Sequence, residues 1–158
     1  MDSIRSAGPG LRVEVGELSR HVGASLGPTA WRSVSQEEVN AFADLTDDHN
    51  PIHVDPERAS GTRFGGTIVH GYYTVSLLAP LLDELLDVRG ASTSVNYGFD
   101  KLRFPAPLPV GSRFRGRAEL TEASDIPGGV QIRLAAAVEV EDGAKPALVA
   151  ECLFRHYA

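Results

Sequence analysis

From Gly71 to Leu86, apolar side chains fall on nearly every face of the helix that their spacing predicts. Tyr72, Tyr73, Val75, Leu77, Leu78, Ala79, Leu81, Leu82, Leu85 and Leu86 all lie in this one stretch. A helix that is apolar all round must be enclosed by protein. After Gly90 the pattern changes period. Arg113 to Leu120 alternates charged and apolar residues, and Val130, Ile132, Leu134, Ala136, Val138 and Val140 repeat every second position. That is the signature of half-buried strands. Residues 94–104 and 147–157 provide two further strands, with Pro127-Gly128-Gly129 and Asp142-Gly143 at hairpin spacing. Four long strands of this kind leave one sheet face wet and one to be covered, and the long buried helix supplies the cover. The expected architecture is α+β: a curved antiparallel sheet wrapped around one long apolar central helix. Pro80 is expected to bend that helix or weaken a turn, and Arg89-Gly90 to stop it.

The chain of 158 residues suits a single domain with a real core. Its net charge of -6 argues against nucleic acid as the main partner. Cys152 is the sole cysteine, which excludes an intrachain disulfide and a Cys-rich metal site. The first residues, Met1 to Ser6, show charges without a following apolar core, so no secretory signal is expected. The apolar run from Gly71 to Leu82 is too short to span a bilayer and contains Pro80. The expectation is a cytoplasmic protein without membrane association. Residues 1–10 read as a loose tail, and the 17–21 stretch admits a short helix.

Ser35-Gln36-Glu37-Glu38 is a capping box. Val39, Phe42, Ala43 and Leu45 follow at helical spacing, which predicts a helix over 36–46. It ends before Asp48-His49-Asn50-Pro51-Ile52-His53-Val54-Asp55-Pro56, a loop with two carboxylates, two imidazoles and an amide in nine residues. Asp55-Pro56 reads as an N-cap with proline at N1, starting a short helix over 56–60. His49 and His53 have the four-residue spacing of two metal ligands on a helix face. Asn50-Pro51 argues against a helix there and no third ligand of that pattern follows, so no metal site is expected.

Several stretches together resemble a known family. They are Phe42-Ala43-Asp44, the Asp48 to Ala59 segment, Phe64-Gly65, Ile68-Val69-His70-Gly71 and Phe104 to Ser112. The chain resembles the MaoC-like, (R)-specific enoyl-CoA hydratases of the hot-dog fold, over about residues 27–157. On that resemblance, residues 1–26 are a tail and lead-in segment, and 27–158 form one hot-dog domain. The resemblance implies Asp48 and His53 as the catalytic pair. It implies the Gly71 backbone amide, at the N-terminus of the central helix, as the donor that polarises a thioester carbonyl. It further implies a homodimer joined edge to edge and an acyl-CoA or acyl carrier protein thioester as substrate. Tyr72 and Tyr73 depart from the Met, Phe or Leu found in many relatives, which leaves acyl-chain length open.

Hydration of a trans-2-enoyl thioester needs water delivered to C3, a proton to C2, and a donor for the oxygen that gains charge. Asp48 and His53 suit the first two tasks, and the Gly71 amide suits the third. No redox cofactor or metal is required. Taken alone, an Asp before Asn-Pro is a turn-former and a lone His is structural; the combination with His70-Gly71 points to catalysis. Asn50 is expected to shape the loop, Asp55 to cap, His49 to face water, and His70 to orient the loop before the helix. Tyr72 and Tyr73 read as core or acyl-tunnel lining. Arg113, Arg115 and Arg117 read as a solvated strand face, with contact to CoA phosphates as the lesser reading for them and for Lys101 and Arg103. Acyl-CoA thioesterase and a non-catalytic acyl-thioester-binding module are the competing functions.

Overall fold

The computed structural model describes residues 10–158, so the expected tail lies almost wholly outside the described residues. The chain begins with strand β1 (Leu11–Glu14), a 3-10 helix (Val15–His21) and the short strands β2 (Ser25–Leu26) and β3 (Arg32–Ser33). Helices α1 (Gln36–Thr46), α2 (Pro51–Val54) and α3 (Pro56–Ser60) follow. The apolar segment forms α4 (Gly71–Ser76) and α5 (Leu78–Leu85). Strands β4 (Leu86–Arg89), β5 (Thr93–Arg103), β6 (Arg113–Ile126), β7 (Gly129–Val140) and β8 (Leu148–Tyr157) complete the fold.

The main sheet has the order β2-β6-β7-β8-β5, with β3 also on β6. Every pairing in it is antiparallel. Strands β6, β7 and β8 form a meander with Ala118, Ala136 and Ala150 in line across it. Strand β5 pairs with β8, because the far edge of its sequence neighbour β6 is taken by β2 and β3. The inner face carries Phe114, Leu120, Ile132, Leu134, Val138 and Leu148, each at most 1% exposed. Leu78, Leu81, Leu82 and Leu85 of α5 belong to the same core. Burying each such side chain is worth about 1.5–3 kcal/mol. Gly116 lets the helix come close: a Cβ there would stand 2.9 Å from Leu81 Cβ.

Pro80 weakens one turn of the central helix as expected: it offers no amide to the Ser76 carbonyl, and α4 and α5 meet at Leu77, which stays right-handed helical, with Leu77 N bonded to Tyr73 O at 3.1 Å and Leu81 N to Leu77 O at 3.3 Å. Two expectations are corrected. The central helix stops at Leu85 rather than at Arg89-Gly90. Leu86–Arg89 is drawn out as β4, paired in parallel with β1. The lead-in before residue 27 is not a separate segment. Leu18 is fully buried, Val13 and Leu26 join the same core, and β2 adds to the main sheet.

Candidate active site

The site is built by the two ends of the loop between α1 and α4. The capping box of α1 closes as expected: Glu38 N donates to Ser35 Oγ at 3.2 Å, and Ser35 N donates to Glu38 Oε2 at 2.7 Å. Helix α1 ends at Asp47, whose φ of 57° turns the chain sharply. Asn50 Oδ1 then accepts the Ile52 amide at 3.3 Å and caps the single turn of α2, with Pro51 at its first position. That turn carries His53 inward, where it is 8% exposed.

Backbone carbonyls fix both imidazoles. His53 Nδ1 donates to the Ile68 carbonyl at 2.7 Å, and His70 Nε2 donates to the Asp48 carbonyl at 2.9 Å. A carbonyl only accepts, so these bonds set the tautomers: in its neutral form His53 keeps a lone pair on Nε2, and His70 on Nδ1. The rings stack with centroids 3.9 Å apart. One polar side-chain atom from each of Asp48, His53 and His70 lies within 4.8 Å of the other two. Asp48 is half-buried. Burial lowers the His53 pKa below its ordinary 6.5, against the opposing pull of the Ile68 hydrogen bond and the Asp48 charge. The neutral imidazole is therefore the resting form near pH 7.

Gly71, next to His70, is the first residue of α4. No acceptor among the described residues bonds its amide, as befits the open end of a helix. A Cβ at Gly71 would stand 3.2 Å from Phe104 Cζ, so space rather than backbone conformation calls for glycine.

Among the remaining expected site residues, Asn50 shapes the loop, Asp55 caps α3 by accepting the Arg58 amide at 3.0 Å, and exposed His49 stands 2.8 Å from Asp44. Tyr72 is a correction: it is 81% exposed rather than core, because position 72 lies on the outer side of the first helical turn. Tyr73 is half-buried and stacks on Phe42 at 4.9 Å, while Phe42 also meets the His70 ring at 5.0 Å. Arg113 pairs with Glu141, and Arg115 and Arg117 share Glu139, so this strand face is satisfied within the sheet. Burial pushes the Cys152 thiol up to about 12, which leaves it unreactive.

Gln36 was not singled out beyond the capping box, yet it braces the site. Its Nε2 donates to the His53 carbonyl at 2.7 Å, and its Oε1 accepts the Thr67 hydroxyl at 2.6 Å. Phe104 against Gly71 was also unforeseen as a site contact. Neither relation has a local sequence signal, since both join residues more than fifteen positions apart.

The model of a family described as the MaoC like domain matches residues 17–142. The chain belongs to the MaoC-like dehydratase family. It is accordingly an enzyme of the hydro-lyase class. The family match begins inside the 3-10 helix, in keeping with a lead-in that is part of the fold. This MaoC-like chain is 48% identical over 145 residues to the 3-hydroxyacyl-thioester dehydratase Z of Mycobacterium tuberculosis, covering 91% of this chain and 96% of that one. It is 35% identical over 111 residues to a 3-hydroxybutyryl-CoA dehydratase of Methylorubrum extorquens, covering 70% and 67%. Its fold matches the solved (R)-hydratase from A. caviae involved in PHA biosynthesis with a TM-score of 0.70 and 31% identity, covering 84% and 94%. The hot-dog architecture expected from the sequence is thus the one observed.

Proposed function

We propose that this MaoC-like enzyme adds water reversibly across a trans-2-enoyl thioester, giving a (3R)-hydroxyacyl thioester, with His53 and Asp48 as the reacting pair. The observation that carries this reading is the His53 tautomer. With Nδ1–H tied to the Ile68 carbonyl, the unprotonated Nε2 is the free base of His53, and a ring nitrogen of His53 lies within 4.8 Å of an Asp48 carboxylate oxygen and a His70 ring nitrogen. His53 Nε2 takes a proton from a water whose second O–H is held by the Asp48 carboxylate. The water oxygen bonds to C3 as the π pair moves to C2 and onto the thioester oxygen. The Gly71 amide donates to that oxygen. The proton held by His53 then passes to C2, so one water supplies both added groups on one face of the alkene. Asn50 and His70 are positioning residues in this scheme, holding the α2 turn and the Asp48 carbonyl.

The steps balance without a redox cofactor or metal. The stacked imidazoles also make an awkward metal cage, because a metal sits in the plane of each ligating ring and these planes run only 26° apart. CoA or acyl carrier protein enters only as part of the substrate. Strand β5 is an edge strand with Val95 and Tyr97 exposed, and pairing of two such edges gives the homodimer that we propose as the working form. Among the described residues no helix is long and apolar enough to cross a membrane, and we place the enzyme in the cytoplasm.

The test is turnover of crotonyl-CoA and longer enoyl-CoAs, followed by loss of enoyl-thioester absorbance, with the product's hand determined. Asp48→Asn and His53→Gln should each lower kcat by roughly 10²–10⁴-fold, the usual worth of a positioned acid–base group. Full activity in either variant, or free thiol release in place of hydration, would overturn the assignment.

A further inference from the structure

We propose that Gln36 is a positioning residue for the reaction at His53, acting through the His53 main-chain carbonyl rather than through its ring. The inference rests on the hydration reading and deepens it. It begins with an unmet backbone group. Helix α2 has only four residues, Pro51–Val54. The last carbonyls of a helix have no partner inside it. The Asp55 amide takes the Pro51 carbonyl at 3.0 Å, and the Ile68 amide takes the Ile52 carbonyl at 3.0 Å. The His53 carbonyl is left over, and the partner it finds is a side chain: Gln36 Nε2 donates to it at 2.7 Å. Nε2 also donates to Asn40 Oδ1 at 3.0 Å, and Oε1 accepts the Thr67 hydroxyl at 2.6 Å. A carbonyl only accepts, so the nitrogen must face His53 and the oxygen Thr67. Glutamine supplies paired donors and an acceptor on one uncharged tip; glutamate lacks the donors, and methionine lacks both.

Both ends of this brace are themselves fixed. The Ser35–Glu38 box sets where α1 starts, and Gln36 is its first residue. The Val34 carbonyl accepts the Gly111 amide at 2.8 Å. The Val110 amide donates to the Thr67 carbonyl at 3.0 Å, and the Val69 amide to the Leu108 carbonyl at 2.8 Å. Residues 34–36, 67–69 and 108–111 thus form one frame to which α2 is pinned. The oxygen that orients the imidazole, on Ile68, belongs to the same frame. His53 is therefore held twice from one support, at its ring by Ile68 and at its main chain by Gln36. Cutting the second hold leaves the Ile68 oxygen, and with it the tautomer, in place. It releases the short turn that carries the ring, so the distance from Nε2 to the reacting water is no longer set. A misplacement of about 1 Å costs up to roughly 10²-fold in rate.

The experiment measures enoyl-CoA turnover by the full chain, well below each protein's Tm. The variants are Gln36→Met, Gln36→Glu, Thr67→Val, Thr67→Ser and the Gln36→Met/Thr67→Val double, with Asp48→Asn and His53→Gln as controls. Gln36→Met should lower kcat by roughly 10–100-fold and leave KM near the wild-type value, the mark of an interaction that serves the transition state. Gln36→Glu keeps the length and the acceptor for Thr67, and an acid in the first turn suits the helix N-terminus. Its Tm should hold while kcat falls as in Gln36→Met, because both donors are gone. Thr67→Val should lower kcat by up to about tenfold, the worth of one net hydrogen bond. Thr67→Ser keeps the hydroxyl and should keep the wild-type kcat. The double variant should be no slower than Gln36→Met, since the bridge is already cut. A brace that serves stability alone gives the opposite split, a lowered Tm with kcat per folded molecule unchanged. That result overturns the proposal, as does a double variant whose losses multiply. Should Gln36→Met fail to fold, Gln36→Glu decides alone. The controls keep the two readings apart. Wild-type turnover that ignores Asp48→Asn and His53→Gln overturns the hydration assignment and this proposal with it. Sensitive controls beside a normal kcat in Gln36→Glu overturn the role of Gln36 only.

Discussion

Replacing Gly71 with alanine separates two reasons for having a glycine at the head of α4. The first is packing. The new Cβ would meet Phe104 Cζ at 3.2 Å and Cε2 at 3.3 Å, so the ring must give by a few tenths of an ångström. Phe104 is 47% exposed and has room to do so. The stability cost should then fall below the roughly 1–3 kcal/mol typical of overpacking a closed core. A loss of about 1 kcal/mol lowers Tm by roughly 2–4 °C in a domain of this size. The second reason is access. If the thioester oxygen takes the Gly71 amide in the transition state, the methyl group stands where the substrate must approach. The loss should match that of one oxyanion donor, roughly 10²–10³-fold in kcat or about 3–4 kcal/mol. Thermal unfolding and the enoyl-CoA assay would be run on Gly71→Ala, Phe104→Leu and the double variant. Relief of the ring contact by Phe104→Leu should restore Tm and leave kcat depressed. Recovery of kcat in the double variant would refute the reasoning, because glycine would then be serving only Phe104.

Further expectations follow from burial and pairing. Because burial lowers the His53 pKa, kcat/KM should hold down to a pH below 6.5 and then fall, and His53→Gln should lose that limb. The same shift acts on stability. Between the folded-state pKa and 6.5 the unfolded chain binds more protons, so stability rises with pH and is complete above 6.5. His156 contributes with the same sign, and a Tm that is flat or falling from pH 5 to 7 contradicts both. Leu18→Ala should cost about 2–5 kcal/mol in denaturant unfolding, as for a central core leucine, since the side chain is fully buried. A cost under about 1 kcal/mol would return the lead-in to the status of an accessory. Lysine at both Val95 and Tyr97 should convert a dimer to monomer in sedimentation velocity by charging the β5 edge; an unchanged mass would remove that edge from the interface.

Elements with a strong local rule were legible. The Ser35–Glu38 box marked the start of α1, Asp55-Pro56 marked α3, and alternation placed β6 and β7 within a few residues. Strands β2 and β3 are two residues long and owe their form to β6, so no periodicity announces them. Strand β4 reads locally as the end of an apolar helix and becomes a strand only because β1 lies beside it. Pro80 signalled a weak turn, and the weak point lies upstream at Ser76–Leu77 because proline leaves the carbonyl four positions before it without an amide. At the candidate site, residue types pointed to Asp48, His53, His70 and Gly71, and the fold brings the side chains of the first three together. The chain's long-range closure supplied what types cannot, namely which carbonyl each imidazole bonds, the brace through Gln36 and the aromatic wall of Phe42 and Phe104.

The partners that orient the two stacked imidazoles are main-chain oxygens, one at Ile68 and one at Asp48. Every amino acid carries such an oxygen, so no side-chain substitution at 68 can delete the group that sets the His53 tautomer. Asp48 divides in the same way: changing its carboxylate leaves its carbonyl available to His70. Point mutation can therefore strip this site of reactivity while leaving its orientation intact. Loss of orientation demands an insertion, a deletion or a proline that reroutes the loop. The loop's length and path are consequently the more brittle part of the inheritance, and an engineer may vary its side chains far more freely than its residue count.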